Sequence, residues 1–114
     1  MKQGKLAEIL KEVNTLPGLN ADNIIKQIKT KLQEEGKETY GKWEKEDDIN
    51  YRLTTDYDTL LDIAVENGYI KIVEALLVDK ANINSGICSP LHTAIIKNNK
   101  EMIKILIKYK ADVN

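Results

Sequence analysis

Apolar residues recur at three- and four-residue steps in several stretches of the chain, which is the spacing of one face of an α-helix. The clearest case is the last 26 residues, 89–114, where the pattern predicts two short helices joined by a turn at Asn98 and Asn99. Ser89 is placed to cap the first helix, and Pro90 occupies its first turn. Because each helix is too short to be stable alone in water, the pair requires neighbouring helices.

The same pattern occurs 30 residues earlier, over residues 59–84, and the two copies align without a gap. An internal repeat of this length is the sequence signature of a solenoid, in which each unit buries its apolar face against the next. Identical residues pair Leu61 with Leu91, Ala64 with Ala94, Leu76 with Leu106, Lys80 with Lys110, Ala81 with Ala111 and Asn84 with Asn114.

These copies carry family motifs. The run S-P-L-H-T-A at 89–94 resembles the ankyrin signature T-P-L-H-x-A, and K-A-D-V-N at 110–114 resembles the ankyrin ending G-A-D-V-N. The turn N-G-Y at 67–69 is similar to the ankyrin turn that carries G-H. The resemblance therefore identifies two ankyrin repeats, at 59–84 and 89–114.

The copies also depart from the ankyrin pattern. The earlier one has Leu60 where the motif has Pro, and Asp62 where it has His. Asp62 follows Thr59 by three residues, which is the spacing of a capping box. The period is 30 residues rather than about 33. The missing residues come from the connection at 85–88, where the family forms a projecting β-turn finger.

The N-terminal part predicts a different helical hairpin, without the ankyrin signature. An amphipathic helix spans residues 5–16 and is stopped by a Pro-Gly pair at 17–18. A second helix runs from about residue 23 to residue 35, with a cap at Asn20 or Asp22.

Residues 37–48 are harder to interpret, because Gly41 and the charge run at 44–48 argue against a long helix. Tyr40 and Trp43 are three residues apart, so they can share one turn and fill a gap against the hairpin.

The motif D-I-N at 48–50 resembles the D-V-N that ends the last repeat. We therefore expect residues 1–50 to form an N-terminal helical hairpin or degenerate cap, and residues 51–114 to form the two ankyrin repeats. The predicted fold class is all-α, an ankyrin-type helical solenoid with the hairpin as its cap.

Composition excludes several classes of partner. With 17 basic and 18 acidic residues the net charge is −1, which leaves no electrostatic footprint for nucleic acid or an anionic membrane surface. No apolar run is long enough to span a bilayer. The single cysteine rules out an intrachain disulfide and suits a reducing compartment, so we expect a cytoplasmic location.

The residues that could carry chemistry lack partners. His92 is the only histidine, and in the ankyrin pattern it ties the helix start to neighbouring backbone. Cys88 precedes a helix cap, where a thiol pKa can fall, but it equally suits a tight connection as a small residue. The acidic residues do not have calcium-loop spacing, and zinc-ligand and phosphate-loop motifs are absent. We expect no enzymatic activity, no metal and no cofactor.

The resemblance instead implies a binding surface for another protein. Ankyrin proteins bind partners through their fingers and through the concave face of the first helix of each repeat. For Ile96 and Tyr57, packing in the core is the alternative to a role in binding. Independently of the resemblance, tyrosine and arginine are residue types favoured at protein interfaces. The implied partner-binding residues are Tyr51, Arg52, Thr55, Asp56, Tyr57, Asp58, Glu66, Asn67, Cys88, Ile96, Lys97 and Tyr109.

Three functions follow as hypotheses. The first is a protein–protein interaction module. The second is an effector that an intracellular bacterium delivers into the host cytoplasm, with residues 1–50 as a separate functional element; an excess of Lys, Ile and Asn, typical of AT-rich genomes, favours it. The third, an enzyme or toxin domain in residues 1–50, is disfavoured because that segment has no His or Cys. We also expect weak self-association through the open C-terminal repeat, with Ile105 exposed on that side.

Overall fold

The computed structural model describes residues 1–46, 49–54, 59–79, 81 and 90–109, apart from the side chains of residues 21 and 22. Within these residues all regular secondary structure is α-helix, which confirms the predicted all-α class. The helices are α1 (Gln3–Asn14), α2 (Ala21–Glu35), α3 (Lys37–Glu46), α4 (Leu60–Asn67), α5 (Ile70–Val78), α6 (Pro90–Ile96) and α7 (Lys100–Lys108).

Six of these helices form three stacked pairs, α1–α2, α4–α5 and α6–α7. The first helices pack in the order α1, α4, α6, and the second helices pack in the order α2, α5, α7. The chain is therefore a two-layered stack, which we describe as a first-helix layer and a second-helix layer. The N-terminal hairpin occupies the place of a repeat in this stack.

The helix starts follow from local side-chain chemistry. At α4, the Asp62 amide donates to the Thr59 hydroxyl over 3.2 Å, and the Thr59 amide donates to the Asp62 carboxylate over 2.9 Å. The capping box predicted at this position is confirmed. At α2, Asn20 and Asn23 exchange equivalent bonds of 3.0 and 2.9 Å, so of the two predicted caps the structure uses Asn20.

The turns between paired helices need a left-handed residue at the same place in each repeat. Gly68, after α4, has φ +74°, and Asn98, 30 residues later, has φ +54°. Glycine adopts this conformation without a steric penalty, and asparagine tolerates it better than most residues do.

Two glycine-to-alanine changes should consequently have opposite effects. Gly68→Ala forces a Cβ into the left-handed region and within 3.3 Å of the Asn99 side chain, so we expect a loss of about 1–2 kcal/mol in unfolding free energy. Gly41→Ala, inside α3 with open space around it, should gain about 0.5–1 kcal/mol. Urea denaturation of both variants measures the difference, and equal effects of one sign would contradict the assigned turn.

Helix α3 was not predicted. It forms because Trp43, only 4% exposed, packs it onto α2, while the side chains of residues 44–46 are exposed to solvent. The Lys29 ammonium of α2 lies 5.6 Å from the centre of the Trp43 ring, within the range of a cation–π contact. Trp43 therefore fills the gap against the hairpin, as its spacing from Tyr40 indicated.

The phenol of Tyr69 joins the N-terminal hairpin, α1–α2, to the next helical pair, α4–α5. The Tyr69 hydroxyl donates to the Ala7 carbonyl oxygen over 3.4 Å, and burial raises the pKa of the Tyr69 phenol. The pKa of Tyr69 is therefore higher in the folded chain than in the unfolded chain. The contribution of the protonated phenol to the unfolding free energy is complete below pH ~10, and it is lost as pH rises through the folded-state pKa.

Tyr69→Phe should therefore lower the unfolding free energy by about 0.5–1.5 kcal/mol at neutral pH, since it removes the hydrogen bond. The difference in unfolding free energy between wild type and variant should narrow above pH ~10, where the phenol ionises in the unfolded wild-type chain but is still protonated in the folded one. Parallel urea titrations at neutral and alkaline pH check this, and a gap that widens with pH would contradict it.

Candidate partner-binding face

Burial is strongly one-sided in the first-helix layer. Five residues of α4 are buried, whereas Glu66, on the opposite side, is exposed. Ile96 lies at the equivalent position of α6, and 68% of its surface is exposed. Because α6 packs directly on α4, Glu66 and Ile96 lie on adjacent helices, and the axes of helices packed in this way are about 8–10 Å apart. Ile96 is therefore a surface residue, which removes the core-packing alternative.

Helix α1 extends the same surface. The Gln3 amide donates to the Glu66 carboxylate over 3.5 Å, which places the start of α1 beside α4 on this side. Glu8 and Lys11 are exposed on the side of α1 away from its buried stripe. We call the exposed side of α1, α4 and α6 the first-helix face.

The sequence did not identify every member of this face. Gln3, Glu8 and Lys11 lie outside the recognisable repeats, so no motif marks them. His92 was given a structural role, but its side chain is exposed one helical turn before Ile96. The four-residue spacing of these two residues on α6 was the available signal.

The structure brings together only part of the predicted set. Lys97 is exposed directly after Ile96. Asn67 is exposed too, but its amide donates to the Ile63 carbonyl oxygen over 2.9 Å and so helps to end α4. Thus Glu66 and Ile96 share one side of the stack, whereas Asn67 and Lys97 are exposed at the C-terminal ends of α4 and α6.

Other predicted residues lie elsewhere. Tyr109 follows α7 in the second-helix layer, is partly buried against the core, and has the Lys108 ammonium 5.8 Å from its ring. Tyr51 is also partly buried against the core, and Arg52 is exposed. The remaining predictions, Thr55, Asp56, Tyr57, Asp58 and Cys88, lie outside the described residues.

The chemistry of the first-helix face is mixed. An exposed isoleucine lies among carboxylate, ammonium, amide and imidazole groups, without a dominant sign of charge. In the described part of the chain, acidic, histidine and cysteine side chains do not gather in groups that could hold a metal ion. Such a surface suits contact with another protein better than it suits catalysis.

A second concave feature lies between α2 and α3. It is a cavity of about 460 Å³. Trp43 and Tyr40 line it on the α3 side, and Lys29 and Ile25 line it on the α2 side. Because α2 belongs to the second-helix layer, the cavity is separate from the first-helix face.

The described helices were also compared with the requirements of a bilayer. None of them is both long enough and apolar enough to cross a membrane.

Known proteins resemble this chain over most of its length. A family model described as ankyrin repeats, in three copies, matches residues 20–114. A protein from fowlpox virus (strain NVSL), described as an ankyrin repeat protein, is 43% identical over 70 residues, a match that covers 58% of this chain and 20% of the viral protein. The chain thus spans about a fifth of that relative's length. No solved structure matches significantly. Because the family model covers most of the sequence, this chain belongs to the ankyrin repeat family.

Proposed function

We propose that this chain binds a partner protein through the first-helix face. Ankyrin repeats are generally protein–protein interaction modules, and the family is typically non-enzymatic. The observation that carries the proposal is the exposure of Ile96, 68%, at the position next to Glu66 in the stack. Exposing an isoleucine to water beside fixed polar groups is unfavourable in free energy. Burial of that side chain under a partner would recover this free energy.

The first-helix face alone is smaller than a standard protein interface, so other residues must contribute contact area. Three helices about 10 Å apart and about 10–18 Å long offer roughly 400 Å² in projection. A standard interface buries about 800 Å² per partner. We propose that the other residues predicted from the sequence to bind a partner supply the difference: Tyr51, Arg52, Thr55, Asp56, Tyr57, Asp58 and Cys88.

Partner capture tests the proposal. Wild type is compared with a variant carrying Glu66→Arg, Ile96→Arg and Lys97→Glu. Its control carries Glu74→Arg, Val78→Arg and Lys71→Glu, the same chemical changes on exposed positions of α5 in the second-helix layer. We expect at least a 100-fold loss of affinity in the first variant, because about 3 kcal/mol is a typical cost of disrupting central interface residues.

Circular dichroism must first show that both variants are folded. A partner that binds the first variant as tightly as it binds wild type would contradict the proposal. Loss of binding in the α5 control alone would instead place the interface on the second helices.

A second candidate function assigns a separate binding site to residues 1–50, as in a host-directed effector acting in the host cytoplasm. The observation that favours it is the cavity beside Trp43, whose rim includes Lys29 and Glu44. The charge-swapped pair Lys29→Glu and Glu44→Lys keeps the net charge. If this second candidate is correct, the charge-swapped variant no longer captures the partner. The variant changed at Glu66, Ile96 and Lys97 still captures it.

A further inference from the structure

The cavity between α2 and α3 is formed by parts of the chain that are distant in sequence. Besides these two helices, the connection after α3 contributes Ile49, and α5 contributes its C-cap residue, Asp79. The cavity therefore requires the N-terminal hairpin, α3 and the α4–α5 pair to be assembled. Its volume of about 460 Å³ lies within the range of about 300–1,000 Å³ that is typical of small-ligand sites.

The walls of the cavity are aromatic and aliphatic. Trp43 and Tyr40 supply the aromatic rings, and Ile25 and Ile49 supply aliphatic side chains that are partly buried against the core. Walls of this kind accept the methylene stem of a long side chain and the flat face of a planar group. They favour a ligand that combines apolar and planar parts.

The charged residues that line the cavity are unequal in sign. Glu44 and Asp79 each contribute a carboxylate, against the one ammonium of Lys29. Both carboxylates are exposed, and neither forms an ion pair with another described residue. The lining therefore has an excess of negative charge, which favours a cation over an anion.

Two helix ends add to this preference. Trp43 and Glu44 lie in the last turn of α3, and Asp79 is the C-cap of α5. Backbone carbonyl groups at a helix C-terminus carry partial negative charge, which stabilises a cation nearby. The negative ends of both helices thus lie beside the cavity.

A cation of the chain itself already uses the aromatic wall. The Lys29 ammonium lies 5.6 Å from the centre of the Trp43 ring, within the range of a cation–π contact. The Lys29 side chain is exposed and forms no ion pair with another described residue. A ligand cation can therefore displace it from the ring.

We propose that this cavity binds an arginine side chain of a partner protein. A planar guanidinium stacks on an aromatic ring and donates several hydrogen bonds to carboxylates, here those of Glu44 and Asp79. Its methylene stem packs on the isoleucine walls. Lysine fits less well, because its ammonium is a strongly hydrated point charge that cannot stack. The inference rests on the second candidate function, which places a binding site at this cavity, and it adds the chemistry that the site recognises.

Titration of the full chain with Nα-acetylarginine amide tests this chemistry directly. Trp43 is the single tryptophan, so its indole N–H gives one signal in a proton–nitrogen correlation spectrum and reports on the cavity wall. A ligand of about 15 non-hydrogen atoms should bind with a dissociation constant on the order of 1 mM. The comparison ligands are Nα-acetylcitrulline amide, which has a similar shape without the charge, and Nα-acetyllysine amide.

Three variants separate the contributions of the charged groups. Glu44→Gln/Asp79→Asn removes both carboxylates and should weaken binding of the arginine ligand at least about tenfold. The control Glu34→Gln/Glu74→Gln makes the same change in charge at exposed residues outside the cavity, and should bind as wild type does. Lys29→Met keeps an apolar stem but removes the competing ammonium, so it should bind the arginine ligand severalfold more tightly. Circular dichroism confirms that each variant is folded.

The ligand series on wild type keeps the proposal falsifiable whatever the variants do. We expect the arginine ligand to bind more tightly than the lysine ligand, and the citrulline ligand to bind at least about tenfold more weakly than the arginine ligand. The proposal is overturned if the arginine ligand shifts no cavity signal at about 10 mM, or if either comparison ligand binds as tightly. A carboxylate variant that binds like its control would also overturn it. So would weaker binding by Lys29→Met, because Lys29 would then hold the ligand.

The second candidate function fails by a different result. Its test is the loss of partner capture in the charge-swapped variant Lys29→Glu/Glu44→Lys. If that variant loses the partner but the arginine ligand does not bind wild type, the site remains and the proposed arginine is wrong. If the arginine ligand binds but the charge-swapped variant still captures the partner, the chemistry of the cavity is supported and the second candidate function fails.

Discussion

Removal of residues 1–19 should unfold the rest of the chain. The matched family model begins at residue 20, yet α1 places Leu6, Ile9, Leu10 and Val13 in the common core, each at most 1% exposed. Burying such side chains stabilises a protein by about 1.5–3 kcal/mol each, or about 6–12 kcal/mol for the four. That range is comparable with the whole stability of a small domain, about 5–15 kcal/mol.

Far-UV circular dichroism and urea titration of residues 20–114 measure the effect. We expect loss of most helical signal and of the cooperative transition. The control is the full chain with Glu8→Ala and Lys11→Ala, two exposed residues of α1, which should change the unfolding free energy by less than about 0.5 kcal/mol. A truncated chain with an unchanged transition midpoint would show that α1 is an appendage and not part of the stack.

Ile28→Ala should have the second largest effect. Ile28 is fully buried on α2, the helix that packs on α1, α3 and α5. The lost burial and the remaining cavity together should lower the unfolding free energy by about 2–5 kcal/mol. Ile96→Ala is the matched control, because the same atoms are removed from a side chain that is 68% exposed. We expect that control to stay within about 0.5 kcal/mol of wild type.

The Ile28→Ala variant also tests whether the hairpin and the repeats unfold together. The single tryptophan, Trp43, reports on α2 and α3 by fluorescence, while circular dichroism reports on all helices. If the hairpin and the repeats share one continuous core, the fluorescence transition and the circular dichroism transition both move to a lower urea concentration by the same amount. A shift in fluorescence alone would mean that residues 1–50 and the repeats are independent units.

The sequence predicted most helices because their signals are local or periodic. The 30-residue repeat indicated α4 to α7, and amphipathic spacing indicated α1 and α2 to within two residues. Helix α3 was missed for a physical reason. Its lysines and glutamates favour a helix, but Gly41 opposes one and a ten-residue helix is marginal alone in water, so α3 depends on the contact of Trp43 with α2.

The surface was less predictable than the fold. Ile96 and Glu66 were identified because the repeat aligns them, but the contribution of α1 depends on which pair α1 stacks against. Helix α7 shows the same limit. A helical repeat has apolar residues on both flanks, so the pattern could not show that Ile107, rather than Ile105, faces away from the preceding pair. Such assignments require tertiary contacts.

The architecture explains how a small chain can present a defined surface. Capping at Thr59 and Asn99, and the left-handed turns at Gly68 and Asn98, fix the ends of short helices. Stacking then holds the exposed positions of α1, α4 and α6 at a regular spacing. Under the proposed function, a partner that matches this spacing would meet a preformed surface, and little conformational entropy would be lost on association.

Site-specific photo-crosslinking tests the proposed binding face most directly. A photoreactive residue replaces Ile96 on the first-helix face in one variant and Val78 on α5 in another; both native side chains are largely exposed, 68% and 56%. With the captured partner bound, we predict a covalent adduct from position 96 and none from position 78. An adduct from position 78 alone would contradict the assignment of function to the first-helix face.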